Sequence, residues 1–121
     1  MKIAFPIREV NPNIKLCKIS ENLENVKFIA VVEVSDLGLV TDVMLFEVEG
    51  DLDLLPELLL ELEPDLFISN GVNMKIAEMV IGNGSKIAVT PSNVLWEAVR
   101  DLILGKAEVI PRGKVSLRYA N

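Results

Sequence analysis

The chain has 121 residues, half of them hydrophobic and a quarter charged, which describes one folded domain able to bury a core without disulfides or structural metal. Twelve basic against eighteen acidic residues leave a net charge of −6, which argues against nucleic acid or an anionic membrane as a whole-surface partner. With no histidine and a single cysteine, Cys17, one chain cannot use imidazole chemistry, close a disulfide or build a self-sufficient cysteine metal site.

Residues 2–7 read as a first strand, with Pro6 near its end because proline cannot donate to a ladder. Residues 8–16, holding Asn11-Pro12-Asn13, read as a loop, and Ser20 as the cap of a short helical turn over residues 20–25. Residues 27–34 are nearly continuous in Phe, Ile, Ala and Val, the pattern of a strand buried on both faces and interior to a sheet. A turn at Ser35-Asp36-Leu37-Gly38 leads into a strand over 39–48, so the two should form an antiparallel hairpin.

A helix over 51–63 follows, started near Asp51 or Asp53, tolerating Pro56 only in its first turn and stopped by Pro64. Its seven leucines cover more than one stripe, which fits either an oligomer contact or a helix wedged deeply against a sheet. Residues 65–89 then spell strand, helix, strand: an apolar run ending in Ser69, turn chemistry at Asn70-Gly71, apolar Val72, Ile76, Met79 and Val80 on one helical face, a stop at Gly82-Asn83-Gly84 and a strand at 87–89. Pro91-Ser92-Asn93 opens a helix to Leu104 with Leu95, Ala98, Val99 and Leu102 as its apolar stripe, and Gly105 closes it. Residues 109–113 read as a turn-like link, and residues 114–119 alternate Val115, Leu117 and Tyr119 against Lys114, Ser116 and Arg118, as a half-buried edge strand does.

The architecture these elements satisfy is α/β: three layers, a mixed five-stranded sheet with helices on its faces, and a C-terminal edge strand. In such sheets ligands sit beyond the carboxyl ends of parallel strands, which selects Ser69, Asn70, Gly71, Thr90, Ser92 and Asn93 as candidate ligand-binding residues. Two helix N-termini there would offer backbone donors to an anion. No Walker or dinucleotide glycine pattern is present. Two-metal nuclease chemistry needs converging carboxylates, whereas the first strand carries none and Asp36, Asp42 and Asp65 fall at turns or strand starts.

Four stretches stand out together: Met-Lys-Ile-Ala-Phe-Pro at 1–6, Ile-Ser-Glu at 19–21 leading to Lys27-Phe28, residues 65–71 with the helix after them, and Lys86-Ile-Ala-Val before a helix ending Leu104-Gly105-Lys106. In these the chain resembles the dinitrogenase iron-molybdenum cofactor biosynthesis family, small ribonuclease-H-like domains that carry or hold nitrogenase cofactor precursors. Where that family has His-Phe-Gly, this chain has Asn22, Leu23 and Glu24; where it has a Gly-Gly-Ile-Gly-like turn, this chain has Asn70, Gly71, Val72 and Asn73. It is thus similar to a divergent member lacking the family histidine. The resemblance implies a ribonuclease-H-like topology and a non-enzymatic accessory or carrier protein. The alternative is an interaction module that kept the fold and lost the ligand.

Any iron-sulfur or iron-molybdenum cofactor precursor would be a passenger, not a tightly bound cofactor, because Cys17 is the only candidate soft ligand and four are normally needed. As partners we expect a homodimer through the C-terminal strand or the leucine-rich helix, or another protein, and neither nucleic acid nor membrane. No apolar run approaches the roughly 20 residues of a membrane span and no signal-like segment opens the chain, so the expected location is cytoplasmic.

Overall fold

The computed structural model describes residues 1–20, 26–48, 55–68, 82 and 84–110. Its strands are β1 (Lys2–Glu9), β2 (Lys18–Ile19), β3 (Phe28–Val34), β4 (Val40–Glu47), β5 (Leu66–Ile68), β6 (Lys86–Val89) and β7 (Glu108–Ile110). They form one open mixed sheet in the order β4-β3-β1-β5-β6-β7, with β2 paired to β1 off that path. The parallel relations run from β1 to β5 and from β5 to β6; β3 is antiparallel to β1 and to β4. Two helices are described, α1 (Leu55–Leu62) and α2 (Leu95–Ile103).

Strand alternation divides the apolar residues between two faces. Ile3, Phe5 and Ile7 of β1 join Ala30, Val32, Ile68 and Ala88 under Leu95, Ala98 and Val99 of α2. Ala4 joins Ile29, Val31, Phe67 and Ile87 under Leu59 of α1. The helices therefore cover opposite faces, and β3, flanked by β1 and β4, is the interior strand its composition announced. Burying each such Ile, Val or Phe side chain contributes about 1.5–3 kcal/mol.

Three departures from the sequence reading have physical causes. Among the described residues the sheet has seven strands, not five: β2 lies between the stretch read as a loop and the helical turn read from Ser20, and β7 overlaps the one read as a turn-like link. Two- and three-residue strands carry too little alternation to announce themselves, and only pairing with longer neighbours defines them. Pro6 is interior to β1, which runs on to Glu9, and not near its end. β1 pairs with β5 only at Ile3 and Ala4; Pro6 has no N–H for a further rung, and beyond it Ile7 and Glu9 pair with β2 instead.

The third departure is at α2, which begins at Leu95 behind Val94, with no side-chain cap, so Ser92 and Asn93 stand outside it. Gly105, at φ 73°, follows its end as expected. At the β3–β4 turn Gly38, at φ 79°, donates its N–H to the Ser35 carbonyl at 2.9 Å. The helix expected over 72–81, the start of the 51–63 helix, the helical turn after Ser20 and the strand over 114–119 lie outside the described residues.

Candidate functional site

The crevice selected from the sequence lies beyond the carboxyl ends of β5 and β6. Ser69, Asn70 and Gly71 are outside the described residues; Thr90, Ser92 and Asn93 lie within them. Thr90 is buried and its Oγ1 donates to the Ser92 carbonyl at 2.9 Å, closing the chain on itself directly after β6. The half-buried Ser92 donates its hydroxyl to Asp101 Oδ2 at 2.7 Å. The structure thus places these three residues on one loop, with both hydroxyls turned to internal acceptors and Asn93 exposed.

The sequence did not announce β2, which ties this loop to β1. Past Pro6, the β2 segment takes the place beside β1 that β5 leaves, and Ser20 donates its N–H to the Pro6 carbonyl at 2.7 Å. Its other side is tied to the loop before α2: Lys18 bridges to Val94, Ile19 donates to the Asn93 carbonyl at 2.7 Å, and the Leu95 N–H donates to the Cys17 carbonyl at 2.9 Å. The first backbone donor of α2 is therefore committed to protein. Nearby, Lys15 sits over the Trp96 ring at 5.0 Å, a cation–π contact worth about 0.5–1 kcal/mol at the surface.

Cys17 is fully buried in the cluster with Ile3, Ile7, Ile19 and Leu95, its sulfur packed as a small apolar group. Among the described residues no group of three or more Cys, Asp or Glu side chains is placed to hold a metal ion. Asp101 is a further residue the sequence reading missed, because it falls beside the apolar stripe of α2 and looks like an ordinary helix-surface acid. It is only 4% exposed. A serine donating to a carboxylate is not thereby a nucleophile, since a carboxylate is a weak base toward a hydroxyl. The pair instead fixes the loop between β6 and α2. No described helix is long and apolar enough to cross a membrane.

No protein-family model matches this chain, and no curated protein matches it by sequence. Solved structures do share its fold. The protein PH0822 superposes with a TM-score of 0.75 at 18% identity, over 93% of this chain and 98% of its own. A "putative dinitrogenase" from Methanocaldococcus jannaschii gives 0.70 at 17% identity, over 91% of this chain and 94% of that one. A "putative NifB protein" from Thermotoga, of the DUF35 family, gives 0.66 at 13% identity, over 93% and 97%. The chain therefore has the complete α/β fold of these small proteins, nearly end to end.

Proposed function

We propose that this chain is a non-enzymatic accessory protein that binds an anionic small ligand, of the metal-cluster-precursor kind used in nitrogenase cofactor assembly, as a loosely held passenger. The observation that carries the reading is the end-to-end likeness in fold to the "putative dinitrogenase" and the "putative NifB protein", added to the resemblance of residues 1–6, 19–28, 65–71 and 86–106. In this reading β4, β3, β1, β5 and β6 are a ribonuclease-H-like core to which β2 and β7 are added. The ligand takes hydrogen bonds from Ser69, Asn70, Gly71 and Asn93 beside the Thr90–Ser92 turn, and completes its metal coordination with its own ligands.

The test is anaerobic purification followed by incubation with ferrous iron, sulfide and molybdate. We expect a colourless protein that gains cluster absorbance only weakly and loses it on gel filtration. A brown protein with near-stoichiometric iron, lost in Cys17→Ser, would overturn the passenger reading in favour of a resident cluster.

A second reading, an interaction module without ligand, is favoured by one observation: Thr90 Oγ1, Ser92 Oγ and the Leu95 N–H all donate to protein acceptors. Complete failure to bind isolated precursor cluster, with the fold intact by circular dichroism, would select it.

A further inference from the structure

Charge is segregated along this sheet. Residues 28–74 hold eleven Asp and Glu and no Lys or Arg, among them Glu33 of β3, Asp42 and Glu47 of β4, and Glu57 and Glu61 of α1. Residues 109–121 hold no acid and carry Arg112, Lys114 and Arg118. The acidic region ends the sheet at β4, whose outer side meets no strand among the described residues.

The β4 edge has its backbone groups set for pairing. Val48 donates its N–H to the Lys27 carbonyl at 2.8 Å, so even-numbered positions face β3, while Val43, Leu45 and Glu47 direct N–H and C=O outward. The outward Val43 N–H is held by the adjacent Asp42 Oδ1 at 2.9 Å, an exchangeable partner that an incoming carbonyl can replace. β4 is eight residues long and contains neither proline nor lysine, the residues that ordinarily blunt an edge.

We propose that the β4 edge accepts, as an added strand, residues 114–119 of a second copy of this chain. Their alternation places Lys114, Ser116 and Arg118 on one side and Val115, Leu117 and Tyr119 on the other, which suits strand addition beside an acidic edge. Reach excludes the same copy. β7, from which the segment leaves, is five strand spacings from β4, about 24 Å, whereas the three intervening residues span at most about 14 Å. β7 itself offers only three residues to pair against, compared with eight in β4. A two-fold pairing of β4 with β4 would bring the acids of both copies together. The contact is therefore head-to-tail, and need not stop at two copies.

Sedimentation velocity on the full-length protein at low salt, over a wide concentration range, tests this. Concentration-dependent species extending beyond a dimer are expected, weakened about tenfold by Lys114→Glu with Arg118→Glu and by Glu47→Lys, equivalent to losing one or two cross-strand charge pairs. Combining Glu47→Lys with Lys114→Glu should restore part of the loss, and a free peptide of residues 111–121 should compete. Circular dichroism confirms that each variant is folded; Glu47 is exposed, so its substitution leaves the core intact. A monomer at every concentration, or assembly indifferent to both substitutions, overturns the proposal.

Discussion

Glu63 occupies the left-handed region, at φ 48°, with its N–H donating to the Leu59 carbonyl at 3.0 Å as α1 ends. Glycine usually fills this position, because a Cβ there meets the following carbonyl oxygen. Glu63 is exposed and, among the described residues, its side chain makes no hydrogen bond or ion pair that glycine would forfeit, so Glu63→Gly should raise stability by about 0.5–1 kcal/mol in urea unfolding. Pro64 alone marked the stop in the sequence, and the strain just before it left no signal. Cys17 has a different consequence. Its burial predicts that the native thiol reacts with a disulfide reagent only at the rate of global or local opening, and promptly in denaturant. Rapid stoichiometric labelling of folded protein would contradict that packing.

Adjacent leucines in α1 show what an element reveals that a sequence cannot. Leu59 is buried against Ala4 and Phe67 while Leu60 is 61% exposed, yet both belong to the same leucine run. Leu59→Ala should cost about 2–5 kcal/mol, and Leu60→Gln should stay within about 0.5 kcal/mol, both read from urea midpoints. The long strands and the apolar stripe of α2 were legible because periodicity spans them; Leu95, Ala98 and Val99 are buried as their spacing requires. Its start was not legible, since Ser92 looks like a cap by local chemistry but is drawn to Asp101, nine residues on. Asp101→Ala removes this 2.7 Å hydrogen bond and the only slightly exposed carboxylate that anchors the loop, and should cost about 1–3 kcal/mol. For the candidate site, the strand-end position of Thr90, Ser92 and Asn93 could be read, whereas the β2 strand tied to that loop could not, because it exists only through tertiary pairing.

At the scale of the molecule, a net charge of −6 makes the folded chain repel itself. Screening relieves this, so raising salt from low to moderate concentration should stabilise the fold, by an amount on the order of 1 kcal/mol in thermal or urea unfolding. A fall in stability with salt would mean that attractive pairs dominate; among the described residues the one ion pair within 4 Å, Lys18 with Glu9 at 3.9 Å, is exposed.

The central place of β1 also dictates an order of events in time. On one side it pairs with β3, Ile7 meeting Phe28, and β3 turns directly into β4; on the other it meets β5, Ile3 against Leu66. Closing the first set of contacts loops out about twenty to thirty residues, and the second about sixty, so chain entropy favours the β1–β3–β4 meander as the early nucleus. Stopped-flow chevrons should then show Val32→Ala slowing refolding, with a φ-value above about 0.5, while Ile87→Val chiefly accelerates unfolding. The half of the sheet bearing β5 and β6, with the candidate crevice at its end, would be the last to dock and the first to open.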